Sequence, residues 1–183
     1  QVKYRIVPPD ELGGLECLEM AKQRLHSCGM LRSCGGADVC AVLGSAKREF
    51  KDYDGANEAY MEALRILEDI GELETTSGAK LLKSMGSLAS KRGDQEGALV
   101  HFERAKAIRA LRGALATPEG VSLLECIGVA QENLGRTASA AESYQEALRL
   151  CESIGLEEHM IGKQVKQHFE SLCESMPGML PLP

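Results

Sequence analysis

The sequence contains no tryptophan, and only 4% of its 183 residues are aromatic. A core must therefore come from Leu, Ile, Val, Ala and Met. That mixture suits small side chains packed between helices better than a β-sandwich, whose strands favour β-branched and aromatic residues. No run of 18 apolar residues exists, so no segment is read as inserting into a membrane. The opening Gln1-Val-Lys-Tyr-Arg-Ile-Val7 lacks the apolar core of a signal peptide. The absence of an initiator Met points to a piece of a longer protein or a processed chain. Basic excess is missing too: the formal net charge is -6, which argues against a general nucleic-acid binder.

Paired ligands and catalytic constellations are equally scarce. The seven cysteines, Cys17, Cys28, Cys34, Cys40, Cys126, Cys151 and Cys173, include no CxxC pair. The six-residue spacing of Cys28, Cys34 and Cys40, with His26 nearby, fits no familiar zinc site. Buried free thiols acting as small hydrophobes are expected, in the cytoplasm or another reducing intracellular compartment. His26, His101, His159 and His168 fall on different segments without a partnered nucleophile, and each is read as a solvated or lightly packed side chain. Gly93-Asp-Gln-Glu-Gly97 lacks the lysine and spacing of a phosphate loop. The pairs Glu68-Asp69 and Glu157-Glu158 read as exposed helix-end charges. The expectation is a protein that is not an enzyme, with no catalytic residues, no metal and no cofactor.

What the chain does have is a period. Gly86, Ala98, Phe102 and Ala105 recur 42 positions earlier as Gly44, Ala56, Tyr60 and Ala63, and 42 later as Gly128, Ala140, Tyr144 and Ala147. A second glycine series, Gly29, Gly71, Gly113 and Gly155, keeps the same interval. Apolar residues are 44% and charged residues 26%, an ordinary globular balance. Such a period marks stacked helical repeats.

The expected organisation is an extended segment over 1–9 ending in Pro8-Pro9, then a helical array over 10–176. Asp10 would cap a first helix from about Glu11 to Cys28, with Leu15, Leu18, Ala21 and Leu25 on one face. Its register makes it the second half of a repeat (10–29) whose first half is absent. Whole repeats follow over 37–71, 79–113 and 118–155. Each has a helix A (about 37–50, 79–92 and 118–134) and a helix B (about 54–70, 96–112 and 138–154). Asp52, Asp94 and Thr137 are expected to cap the B helices, and Thr117 with Pro118 to open the third A helix. A polar-faced helix over 160–176, with Ile161, Val165, Phe169 and Leu172 or Cys173 inward, would cover the end of the stack. A flexible tail, 177–183, would close the chain.

Glycine in helix A, alanines flanking an aromatic in helix B, and a short turn between them resemble the tetratricopeptide repeat. Leu43, Met85 and Ile127, preceding the glycines, fit as well. The resemblance implies an all-α, right-handed superhelical solenoid of about eight helices. The chain departs from the pattern at Lys47, Ala89 and Gln131, where an aromatic is usual, and at Cys40, Leu82 and Leu124, where Trp is usual. It also lacks the proline that closes helix B, and its period is 42 rather than the common 34. The longer period resembles kinesin light chains and related scaffolds. Their groove asparagines correspond here to Val42, Ser84 and Cys126, which makes chaperone-tail binding an unlikely use.

Charge is unevenly distributed over the repeats. Residues 79–112 hold eight basic residues against three acidic ones, a net of +5, whereas 37–70 carry -4 and 121–154 carry -3. Family geometry places helix A on the concave face, with Ser45, Arg48, Lys80, Lys83, Ser84, Ser87, Lys91, Glu125, Val129 and Glu132 facing inward. These are the candidate groove residues, suited to a partner peptide or helix of acidic character. The same charges could instead solvate the surface and pair between neighbouring repeats. The function expected is a scaffold or adaptor that binds a protein partner. The alternative is a structural or regulatory segment of a larger protein that acts through intramolecular docking or self-association.

Overall fold

The computed structural model describes residues 9–175, with side chains from Gly13 onward. The expected extended segment at 1–8 and the tail at 177–183 lie outside the described residues. Eight helices run through the rest: α1 (Pro9–Ser27), α2 (Cys34–Glu49), α3 (Tyr53–Asp69), α4 (Thr76–Lys91), α5 (Gln95–Leu111), α6 (Pro118–Asn133), α7 (Thr137–Ile154) and α8 (Met160–Ser175). No strand occurs among the described residues. By register, α2, α4, α6 and α8 are A-type helices, and α1, α3, α5 and α7 are B-type.

Helix starts explain where sequence expectations held and where they slipped. Ser33, Thr75 and Thr117 form a capping series at the 42-residue interval, each side-chain oxygen accepting from an amide three residues on: Gly36, Gly78 and Gly120. Of these only Thr117 was anticipated, so α2 and α4 begin three residues before the predicted 37 and 79. Asp52 and Asp94 cap α3 and α5 as expected, taking the amides of Gly55 and Gly97 at 2.9 and 2.8 Å. Thr137 does not cap α7. It is the first helical residue, and Arg136 holds the N-cap position without a side-chain cap bond. The register shows why: Asp52 and Asp94 each face a glycine, where a Cβ would meet a carboxylate oxygen at 2.1 Å, whereas Arg136 faces Ser139. The side chain of Asp10, expected to cap α1, lies outside the described residues, and the helix itself includes Pro9.

The chain divides at Leu73–Glu74 into two compact units. In the first, α2 packs on both α1 and α3. Tyr60 is fully buried between Ala56 and Ala63, and a Cβ at Gly44 would lie 2.6 Å from its ring. The second unit contains two successive A–B pairs closed by α8. There α5 packs on α4 and α6, α7 on α6 and α8, and α6 also touches α4 and α8. Its core combines Leu82, Phe102, Leu124, Ile127, Tyr144 and Phe169 with alanines and small residues between them. Cβ atoms at Gly86 and Gly128 would come within 2.5 and 2.4 Å of the Phe102 and Tyr144 rings. Glycine is thus required for each A helix to reach its aromatic partner. Each of these large side chains contributes about 1.5–3 kcal/mol through burial.

The A-to-B turns share a left-handed residue: Lys51 (φ 63°), Gly93 (φ 87°) and Gly135 (φ 72°). Lysine pays a backbone penalty there that its glycine counterparts avoid. Lys51→Gly is expected to raise stability by about 0.5–1 kcal/mol, the relief being partly offset by the freer unfolded chain. Gly86→Ala forces Phe102 or the helix backbone to move and should lower stability by about 1–3 kcal/mol. Urea denaturation of each variant measures both changes.

Candidate interaction face

Within the second unit, α6 touches both α4 and α8, and eight of the ten expected groove residues lie on α4 and α6. Lys80, Lys83, Ser84, Ser87 and Lys91 recur at helical spacing on α4, and Glu125, Val129 and Glu132 on α6. Ser45 and Arg48 lie on α2, in the first unit, where Ser45 Oγ is 3.0 Å from Tyr60 Oη and Arg48 pairs with Glu49 at 2.9 Å. Lys80 and Lys91 are exposed and have no acidic partner among the described residues. Lys83 Nζ donates to Ser122 Oγ on α6 at 2.7 Å, linking the two A helices. Ser84 and Ser87 donate back to the carbonyls of Lys80 and Lys83, which leaves their oxygens free to accept. Val129 packs against the core, and Glu132 accepts from the buried Tyr144 hydroxyl at 2.9 Å.

The basic residues of α5 serve a different purpose. Arg109 is buried and donates to Ala114 O and to Thr117 Oγ1, bracing the cap of α6. Arg104 pairs with Glu74 at 3.1 Å, and Arg112 donates to the Glu74 carbonyl at 2.8 Å. Lys106 Nζ reaches Glu146 on α7 at 2.6 Å. The positive band seen in the sequence therefore splits in two. The cations of α5 are tied to neighbouring elements, as is Lys83 of α4, whereas Lys80 and Lys91 are exposed.

Glu125 is the most deeply placed charge on the face, at 8% exposure. Burial raises its pKa, while His168 and Lys83 pull it down. His168 Nδ1 on α8 lies 3.3 Å from Glu125 Oε1, and its ring packs against Tyr144 with centroids 5.8 Å apart. Burial, then the bond to Glu132, raises the Tyr144 hydroxyl far beyond its usual range. The sequence identified Glu125 as a candidate but gave His168 no partner. The two are 43 positions apart in an array whose visible period is 42, so periodicity alone does not pair them.

Among the described residues no group of three potential metal ligands comes together, and no helix is long and apolar enough to cross a membrane. None of the seven cysteines, all of them among the described residues, forms a disulfide. Cys40 and Cys151 are buried, and Cys126 and Cys173 are half-buried. Cys17, Cys28 and Cys34 are exposed, so the expectation of buried thiols fails for these three. All three lie on α1 or at its junction with α2, where fewer elements cover them.

Residues 37–69 and 127–154 match the tetratricopeptide-repeat family model. In fold the chain is similar to the crystal structure of BtubC (BKLC) from P. vanneervenii, with a TM-score of 0.77 at 17% identity over 91% of this chain. The chain spans 65% of that structure's length. A kinesin-light-chain-like protein of nearly identical TPR-like repeats from Podosopora anserina gives a TM-score of 0.76 at 14% identity, covering 90% of this chain and 78% of that one. MamA gives 0.56 at 15% identity, covering 90% and 88%. At these identities the likeness is one of fold. No curated protein matches the chain by sequence. The matched segments are similar to tetratricopeptide repeats, and the fold shared with these structures is an all-α helical-repeat solenoid.

Two solution measurements check this description. Burial pushes the Cys40 thiol up to about 11 and also raises Cys151. At pH 8, iodoacetamide should therefore label Cys17, Cys28 and Cys34 in the folded chain and spare Cys40 and Cys151, as read by mass spectrometry. Glu125 has a folded pKa above the unfolded 4.5, so the folded state binds more protons in the window just above pH 4.5. Its carboxylate thus lowers stability as pH rises through that window. The stability of Glu125→Gln relative to the parent chain should increase over the same interval, as measured by denaturation at each pH.

Proposed function

We propose that the open side of α4, α6 and α8 docks an acidic segment of a protein partner. The observation that carries this reading is the row Lys80, Lys83 and Lys91 on α4. Two of these ammonium groups are exposed without a carboxylate partner, while the neighbouring α5 cations are tied within the repeats. Lys83, fixed by Ser122, presents a positioned positive charge, and Ser84 and Ser87 keep the surface low enough for a peptide backbone. No nucleic acid, cofactor or metal enters this reading. Three exposed free thiols favour a reducing compartment, the cytoplasm being the simplest choice.

A second reading, docking with another segment of a longer parent chain or with another copy, is favoured by α1. Its Leu18 and Ala21 are only half-buried, whereas their register partners Tyr60 and Ala63 are fully buried. Gly13 and Gly14 face open space there.

Titration of the chain with acidic peptides at low and moderate salt separates these readings. Docking on α4 predicts affinity that weakens with salt, falls roughly tenfold in Lys80→Ala/Lys83→Ala, and is unchanged in Lys106→Ala. Affinity indifferent to both salt and the double substitution rejects the α4 face. Light scattering across concentration tests self-association, and a monomer throughout contradicts it.

A further inference from the structure

Glu125 Oε1 and His168 Nδ1 are both shut off from solvent, and neither makes an aligned hydrogen bond. They face each other across 3.3 Å, one from α6 and one from α8. A carboxylate oxygen can only accept, and an imidazole nitrogen without its proton can only accept as well. Two bare acceptors at this separation would repel each other, and each would keep the full penalty of burial without a partner. Water cannot intervene, so a proton on one of the two atoms is the only remedy.

Two placements are open at this contact: Nδ1–H, on a neutral or doubly protonated ring, donating to a carboxylate, or a neutral carboxyl donating to Nδ1. The surroundings favour the first. Lys83 on α4 adds positive charge beside Glu125 and opposes the effect of burial. From α7, Tyr144 faces His168 with its ring and directs its hydroxyl to Glu132 rather than to this pair, and the Cys151 thiol feels Glu125 only as a nearby charge. A donor N–H on a carboxylate is also the stronger, charge-assisted bond, and a small rotation of the imidazole aligns it.

We infer that His168 holds a proton on Nδ1 against Glu125 Oε1, clasping α8 to α6, so that in the neutral ring Nε2 is a bare acceptor at the surface. The His168 side chain is 36% exposed although Nδ1 is not, so the exposed part is the remainder of the ring. That part borders a hollow with Lys163, Gln164 and Gln167. The α8 end of the face is thereby suited to an N–H or O–H donor from a bound chain, just as the α4 end is suited to a carboxylate. This consequence rests on the peptide-docking reading, but the proton placement does not.

Nitrogen-15 NMR of histidine-labelled full chain at pH 7.5 tests the inference without any partner, with His168→Gln supplying the assignment. The expected spectrum gives His168 the Nδ1–H pattern with an unprotonated Nε2, and Glu125→Leu abolishes that pattern. An Nε2–H pattern in the parent chain, or one unaffected by Glu125→Leu, overturns it. Adding an acidic peptide that also carries lysine should then shift the Nε2 resonance. A bound peptide that leaves Nε2 unmoved removes the acceptor role while the proton placement stands, and a peptide that fails to bind rejects the docking face instead.

Discussion

Every whole repeat in this chain depends on one contact, a glycine in the A helix laid against an aromatic ring in the B helix. Gly44 meets Tyr60, Gly86 meets Phe102 and Gly128 meets Tyr144, each so closely that a single added carbon would overlap the ring. The flanking alanines are fully buried because the helices have closed on one another. A chain without tryptophan builds its core by bringing backbones together rather than by filling space with large side chains. At the C-terminal end the register position of the glycine is held by Glu170 on α8, which is exposed and lies 3.9 Å from Lys166. That surface is suited to water rather than to another B helix.

Because the apolar contacts repeat, they distinguish one repeat from another very little. The differences are polar. Arg109 braces a cap, Arg104 and Arg112 converge on Glu74, and Lys106 bridges to Glu146. These bonds tie α5 and its C-terminal end to their neighbours and engage four of the eight basic residues of the middle repeat. On the opposite layer, Lys83 reaches Ser122 and His168 reaches Glu125, so α4, α6 and α8 are linked by polar side chains that also line the open surface. The same residues therefore position the helices and, on the proposed reading, would define the chemistry met by a partner.

The 42-residue spacing made the helices and their order legible in the sequence, but not that Phe102 lies against Gly86 of its own repeat. Helix boundaries were less so, because Ser33 and Thr75 look like ordinary loop residues until Thr117 reveals the series they belong to. Arg136 is the reverse case. It occupies the position of two capping aspartates, and only the contact of Asp52 with Gly55 explains why Ser139 accompanies the change. On the candidate face, the α4 lysines could be read from helical spacing, but the division of labour between α4 and α5 could not. It depends on which cations find carboxylates or carbonyls across 30 to 40 residues, as Arg104, Arg112 and Lys106 do. The pairing of Glu125 with His168 was hidden for the same reason.

The account stands or falls on which layer of the second unit meets a partner. Amide chemical-shift mapping of the labelled chain during addition of an acidic peptide measures this directly. Shifts concentrated on α4, α6 and α8, strongest around Lys80, Lys83 and Ser87, are predicted. Shifts confined to α5 and α7, with the α4 amides unmoved, would contradict it.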